Sequence, residues 1–215
     1  MEPIKLVIGN KNYSSWSLRP WIVLKYFKIP FEEIFIALWE PGFKEQILKY
    51  SPAGKVPILI HGSTVIWESI AICEYLSELF PSQNLWPRDP KARAQARAIS
   101  AEMHAGFMDM RKNFPMNIKE HRPDKERGPE VLANVKRVIE IWDNARRQFK
   151  NAGPYLFGAF SIADAMYAPV VWRFKTYGVP LSGLAKEYYD TMLACPPMKE
   201  WQEAALNEIY VIAGH

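Results

Sequence analysis

Apolar positions follow two regimes along this chain. Up to about residue 80, short apolar runs alternate with helically spaced ones; beyond residue 90 only helical spacing remains. Lys5-Leu6-Val7-Ile8, closed by Gly9-Asn10, reads as a strand. Leu18 to Phe27 turns Leu24 and Phe27 to one side and predicts a helix stopped before Pro30. A proline is tolerated best in a helix's first turn, so Pro20 puts the helix start near Ser15 to Ser17, under a serine cap. Glu33 to Leu38 predicts a second strand, and Phe43 to Tyr50 a short helix ended by Ser51-Pro52-Ala53-Gly54. Ile58-Leu59-Ile60 and Thr64-Val65-Ile66 flank His61-Gly62-Ser63 and predict a hairpin. Glu68 to Phe80 is helical, with Ile72, Tyr75, Leu76 and Leu79 on one stripe. A crossover between parallel strands followed by a hairpin implies a mixed sheet with helices packed on it.

Three prolines between Pro81 and Pro90 read as a linker. After it the pattern predicts one long helix from Lys91 to Ile118, with a possible kink at Pro115. Further helices follow over Pro129 to Lys150, Ser161 to Tyr177 (loosened at Pro169), Leu184 to Leu193 and Met198 to Ile209. Ser161-Ile162-Ala163-Asp164 fits a capping box, with Phe160 as a hydrophobic staple. The expected fold class is therefore α+β with two domains: 1–80 bearing a mixed four-stranded sheet, a linker over 81–90, and an all-α bundle over 91–215. No internal repeat interrupts this division.

Composition narrows the function classes. Apolar residues make up 49% of the 215, enough for packed cores and against disorder. With 27 basic and 23 acidic residues the net charge is +4, a mixed surface that argues against nucleic acid and mildly favours small anionic ligands. Met1-Glu2-Pro3-Ile4-Lys5 shows no secretory leader, and no run approaches the roughly 20 apolar residues of a membrane span. Cys73 and Cys195 lie far apart and form no C-x-x-C pair. A cytoplasmic protein without disulfides or membrane contact is expected. His61, His104, His121 and His215 are scattered, so no metal is expected.

Two stretches carry candidate chemistry. Pro57 opens an apolar run where it cannot donate to a sheet ladder; it is either a strand-entry proline or a cis peptide that turns the Val56 main chain toward an extended ligand. Eleven residues on, Glu68-Ser69 offers a carboxylate, a hydroxyl and the open N–H groups of a helix start. Those groups suit a ligand that is an amino acid at one end and a peptide in the middle. Upstream, Tyr13-Ser14-Ser15-Trp16-Ser17 joins the first strand to the first helix. Its hydroxyls can cap the helix, or they can donate to an anion such as a thiolate near the positive end of the helix dipole. A free thiol has a pKa of about 8.5, and a donated hydrogen bond lowers it.

Taken together and in order, the serine-bearing loop, Lys55-Val56-Pro57, Glu68-Ser69-Ile70-Ala71-Ile72, the proline-rich linker and Ser161-Ile162-Ala163-Asp164 resemble the cytosolic glutathione transferases over nearly the whole chain. Ser14-Ser15-Trp16-Ser17-Leu18-Arg19 is similar to the zeta-class loop Ser-Ser-Cys-Ser-Trp-Arg, and Arg173-Phe174-Lys175 to a zeta-class Arg-Phe-Lys. Trp16 stands in place of the zeta cysteine, Glu68 in place of a glutamine, and Glu102 to Phe107 is not zeta-like.

The resemblance implies a thioredoxin-like N-terminal domain, a helical C-terminal domain, a homodimer, and glutathione as cosubstrate. It implies that Ser14 activates the glutathione sulfur and that Ser15 is among the glutathione-binding residues. Val56, preceding cis-Pro57, would pair with the cysteinyl unit, Glu68 and Ser69 would hold the γ-glutamyl end, and Lys55 the glycyl carboxylate. For the electrophile, the stripe of Met103, Phe107 and Met110 is expected in the core and that of His104, Met108 and Arg111 in the cleft, with Trp39 and Arg173 as further cleft residues. The reaction implied is attack on a small electrophile. Two alternatives are reversible addition that isomerises a cis double bond, as in maleylacetoacetate isomerase, and a non-catalytic binding or scaffold role on the same fold. Disulfide reduction is disfavoured because the first loop has no cysteine.

Overall fold

The computed structural model describes residues 2–212. Four strands, β1 (Ile4–Ile8), β2 (Glu32–Phe35), β3 (Ile58–His61) and β4 (Thr64–Trp67), form one mixed sheet in the order β2-β1-β3-β4. β1 runs parallel to β2 and antiparallel to β3, and β3 and β4 form the expected hairpin. Strand alternation divides the side chains. Leu6, Ile8 and Leu59 face α1 (Ser15–Tyr26) and α3 (Ser69–Leu79), whereas Val7 and Ile58 face α2 (Phe43–Leu48) through Ile47. This is a thioredoxin-like sheet sandwiched by helices.

The second half comprises α4 (Pro90–Ala105), α5 (Met108–Asn113), α6 (Pro129–Phe149), α7 (Ile162–Thr176), α8 (Gly183–Ala194) and α9 (Pro196–Asn207). α7 is buried nearly all round and packs on both α1 and α4. The larger hydrophobic cluster therefore runs unbroken from the sheet through α1 and α3 into α7 and α6. No helix among the described residues is long and apolar enough to cross a membrane.

Four local expectations are corrected. The long helix over Lys91 to Ile118 is broken at Gly106-Phe107, not kinked at Pro115. Gly106 is extended, and a Cβ there would lie 2.9 Å from the Glu102 carbonyl. Phe107 then adopts φ 61° and buries its ring, and Arg111 Nε takes the Gly106 carbonyl at 2.8 Å. Pro20 lies in the second turn of α1, because Ser14 rather than a later serine is the cap. β2 ends at Phe35 rather than Leu38, where the Asn10 side chain draws off the Leu38 N–H at 2.8 Å. Finally, Glu68 precedes α3 as its cap residue with φ +70°. The burial of Met103, Phe107 and Met110 agrees with the core stripe.

The capping box at α7 is present with both of its bonds. Asp164 is fully buried and accepts from the Leu156 N–H at 3.0 Å, the Ser161 N–H at 2.8 Å and Ser161 Oγ at 3.1 Å. Asp164→Ala leaves those donors unmet inside the core. It is expected to cost about 2–4 kcal/mol and lower Tm by about 5–15 °C in thermal melts. Burial raises the Asp164 carboxyl to about 6, against the opposing N–H donors. The native state thus holds a proton that the unfolded chain, titrating near 3.9, has released. This group's contribution to stability is complete below about pH 4 and is lost as pH rises through about 6. Asp164→Asn should remove that part of the pH dependence of Tm.

Candidate functional site

The turn from β1 into α1 is shaped locally by main-chain and polar side-chain hydrogen bonds. The Asn10 carbonyl accepts from the N–H groups of Tyr13 and Ser14 at 3.1 and 2.7 Å. Ser14 caps α1: its Oγ accepts from the Ser17 N–H at 3.3 Å and donates to Ser17 Oγ at 2.7 Å. Ser17 Oγ in turn accepts from the Gly9 N–H at 3.1 Å. Ser15 is the first helical residue, and its Oγ accepts from Arg173 Nη2 at 3.3 Å. Both serines are buried at the wall of a cavity of about 400 Å³ between the sheet half and the helical half. Tyr13, Trp39 and Val56 close one side of it, and Arg111, Met116 and Arg173 the other.

A second cavity of about 210 Å³ adjoins the first and shares Trp16, Lys55 and Val56 with it. Its far end is Pro57, Trp67, Glu68 and Ser69. The Val56–Pro57 peptide is cis. Among the described residues nothing hydrogen-bonds to the Val56 main chain. Ser69 sits 1% exposed at the head of α3, and its Oγ has no partner among the described residues. Glu68 makes no capping bond either, so the first N–H groups of α3 face the cavity unblocked. A buried, unmatched hydroxyl costs roughly 1–3 kcal/mol, which a polar ligand would recover.

Trp16 is the partition between the two cavities. The guanidiniums of Arg19 and Arg111 lie 4.2 and 4.8 Å from its ring, and the His104 ring meets it edge-on at 5.2 Å. Arg19, Arg111 and Arg173 form a cationic cluster with no carboxylate partner among the described residues. Arg111 bonds the carbonyls of Met103 and Gly106, and Arg173 that of Phe114 at 2.8 Å. Carbonyls satisfy the N–H groups but leave the charge uncompensated. Burial, and in second place Arg111, pushes Arg173 down to about 9; burial pushes Arg111 down to about 10. The fully buried Arg19 is lowered for the same reasons, and its two terminal nitrogens have no partner among the described residues.

Most of the residues singled out from sequence come together at these cavities. Ser14, Ser15, Trp39, Lys55, Val56, Arg111 and Arg173 line the larger one, and Lys55, Val56, Pro57, Glu68 and Ser69 the smaller. Two do not arrive where expected. Met108 is 65% exposed at the start of α5 and lines neither cavity. His104 lies behind Trp16, with Nε2 3.6 Å from the Glu68 carboxylate, and so addresses the smaller cavity's acidic residue rather than the larger cavity. Burial lowers its pKa, as does Arg19, against the pull of Glu68. Leu38, Phe43, Pro115 and Met116 are lining residues that the sequence did not reveal, because only tertiary folding brings them there. Among the described residues no group of His, Cys, Asp and Glu side chains could hold a metal ion.

Comparison with known proteins agrees with this architecture. Residues 13–79 match the family model "Glutathione S-transferase, N-terminal domain", and residues 95–204 its C-terminal counterpart. Glutathione S-transferase 1 of Dianthus caryophyllus is 36% identical over 174 residues, 79% of this chain and 77% of that protein. Maleylacetoacetate isomerase of Rattus norvegicus is 31% identical over 189 residues, 85% of this chain and 84% of that one. A glutathione transferase homolog from Burkholderia, solved with bound glutathione, superposes with a TM-score of 0.71 over 97% of this chain and 100% of that chain; at 24% identity this likeness bears on the fold. With both halves matched in order and relatives above 30% identity along most of its length, the chain belongs to the glutathione S-transferase family.

Proposed function

We propose that this protein activates the thiol of glutathione with the Ser14 hydroxyl and directs it at a small electrophile bearing an anionic group. The observation that carries the first half is the set of polar groups open to the smaller cavity: the unpartnered Ser69 Oγ, the start of α3, the Val56 main chain, and the Glu68 carboxylate, which His104 approaches from behind at 3.6 Å. Their order fits one extended tripeptide. The γ-glutamyl carboxylate goes to Ser69 and the helix N-terminus, and its ammonium to Glu68. The cysteinyl unit pairs with Val56, and the glycyl carboxylate meets the exposed Lys55. Residues 1–80 would thus hold glutathione, and residues 91–215, across the 81–90 connection, would supply much of the electrophile's pocket. A homodimer is the assembly that the family resemblance implies.

In this reading the sulfur lies near Trp16, where the two cavities meet. The Ser14 hydroxyl hydrogen turns from Ser17 toward the sulfur, and the Ser17 hydroxyl hydrogen turns back onto Ser14 Oγ. The swap loses no hydrogen bond, and it polarises the Ser14 hydroxyl as a donor. The thiol proton leaves to solvent and the thiolate is held by Ser14 at the positive end of α1. It then forms a bond to an electrophilic carbon in the larger cavity, where Arg111 and Arg173 receive the anionic substituent. A second reading is favoured by the same arginine pair and by the isomerase-named relative. The thiolate adds to one carbon of a cis double bond, the resulting single bond rotates, and elimination releases the trans isomer and the thiolate unchanged.

Four outcomes are expected. Millimolar glutathione at about 100 times its Kd should add about 2.7 kcal/mol and raise Tm by about 5–10 °C. Ser69→Ala should cut that shift and raise KM for glutathione about 5- to 30-fold with kcat less affected; no shift in the parent protein and no binding heat by calorimetry would remove the reading.

Ser14→Ala should move the thiolate absorbance titration of the binary complex toward the solution thiol value. Turnover near pH 7 should fall about 10- to 1000-fold and recover partly at alkaline pH. An unchanged titration in Ser14→Ala, with a shift in Tyr13→Phe or Ser15→Ala, assigns the role elsewhere.

Among electrophiles that differ only in a free carboxylate against its methyl ester, the carboxylate should be preferred about tenfold or more in kcat/KM. Equal rates would leave the arginine cluster without a role in substrate choice.

A further inference from the structure

The loop that carries Ser14 is held from the far end of the chain. α9 ends at Asn207, and Glu208 leaves it in an extended conformation with its side chain turned back onto the β1–α1 turn. Its two carboxylate oxygens accept from consecutive main-chain N–H groups, Oε1 from Lys11 and Oε2 from Asn12 at 3.2 Å. Consecutive N–H groups converging on one carboxylate make a compact anion nest. Two more bonds hold the same turn: Trp201 Nε1 on α9 donates to the Lys11 carbonyl at 2.8 Å, and the Ile212 N–H donates to Tyr13 Oη at 3.3 Å. Lys119 Nζ donates to the Glu208 carbonyl and so ties Glu208 itself to the segment after α5. Asn12 ties the turn to the segment after α5: its Oδ1 accepts from the N–H groups of Ile118 and Lys119 at 2.8 and 3.0 Å, and its Nδ2 donates to Asn117 at 3.0 Å.

These bonds converge on Lys11-Asn12-Tyr13, the three residues before Ser14. The Ser14 N–H depends on the Asn10 carbonyl at the start of the same turn. A tilt of the turn therefore moves the Ser14 hydroxyl relative to Val56 and to the head of α3, which stand on other elements. We infer that Glu208 is a positioning residue for thiol activation, fixing the Ser14-bearing turn by clamping the Lys11 and Asn12 N–H groups from the C-terminal side. The inference rests on the serine reading above. Burial raises the Glu208 pKa, and the two N–H groups oppose that rise, as expected for a carboxylate held in a nest rather than in water.

The test is a glutathione binary-complex titration with steady-state kinetics for Glu208→Gln, Glu208→Asp and Ser14→Ala. The glutamine is nearly isosteric but turns an amide NH2 against a main-chain N–H, so one clamp bond is lost while the packing is kept. Displacement of a catalytic group by about 1 Å costs up to about a hundredfold. Glu208→Gln should therefore raise the bound thiol's apparent pKa and lower kcat at neutral pH about 3- to 100-fold. KM for glutathione should stay within about twofold, because Val56, Glu68 and Ser69 are untouched. Glu208→Asp, which keeps the charge, should recover part of kcat. The inference is overturned if Glu208→Gln titrates and turns over as the parent does, or if KM rises in step with the loss of kcat, as a general loosening of the fold would cause. Ser14→Ala separates the two readings. No shift there removes the serine reading itself, whereas a shift there with none in Glu208→Gln overturns the role of Glu208 alone.

Discussion

A buried turn must find its hydrogen bonds inside the protein, and the turn between β1 and α1 is buried but for part of Lys11. Asn10, Asn12 and Ser17 are fully enclosed, and Ser14 nearly so. The site is shaped by how this turn meets that demand. Side chains do the work that water does elsewhere: Asn10 serves Leu38, Asn12 serves Ile118 and Lys119, Ser17 serves Gly9, and Ser14 caps α1. Each bond also fixes a neighbour. Asn10 ends β2 and turns Leu38 over the site. Asn12 docks the segment after α5, which brings Met116 to the larger cavity. A requirement of local satisfaction thus becomes the means by which distant elements are placed around two serine hydroxyls.

The helical half contributes charge as well as walls. Arg19, Arg111 and Arg173 come from α1, α5 and α7, and their convergence around Trp16 and Ser15 would be self-repelling if the cleft were meant to remain empty of anions. Backbone carbonyls hold the guanidiniums in place, so the repulsion is supported by the fold rather than relieved by rearrangement. A thiolate and an anionic substrate would both lower this energy, each making the other's binding site less cationic. The cluster therefore suits a reaction in which negative charge is present on both partners before the bond forms.

Much of the fold was legible because the apolar period changes near residue 80 and because serine, proline and glycine mark most helix ends. Two failures come from side chains that take over main-chain groups: Arg111 takes the Gly106 carbonyl where the helical pattern breaks, and Asn10, 28 residues away, takes the Leu38 N–H beyond the end of β2. Pro20 was misplaced by one turn because the preference of proline for a first turn moved the expected helix start toward Ser17, whereas Ser14 caps α1 and Pro20 falls in its second turn. Within the site, the motif residues were visible because their chemistry is local: a cap, a proline before a strand, an acid and a hydroxyl at a helix start. His104 was expected to share a cleft-facing stripe with Met108 and Arg111, but the break at Gly106 puts those two on a separate helix, and His104 lies instead beside Glu68. Glu208 gave no signal, being separated from its partners by 196 and 197 residues.

The absence of sulfur from the active loop limits the chemistry. Trp16 occupies the place at which the zeta pattern has a cysteine, and both cysteines of the chain are buried and free. Cys73 lies inside α3, and burial raises its thiol to about 12, so at neutral pH it is a small apolar side chain rather than a nucleophile. Burial raises Cys195 as well. In the proposed reading the thiolate therefore arrives with the ligand, and the protein's part would be to bind, deprotonate and aim it. Trp16 lines both cavities, and two guanidiniums lie 4.2 and 4.8 Å from its ring centre; in the proposed reading it would leave the ligand's sulfur as the nucleophile at their junction. A tryptophan there trades a second thiol for a rigid wall, which favours addition of glutathione to carbon over thiol–disulfide exchange.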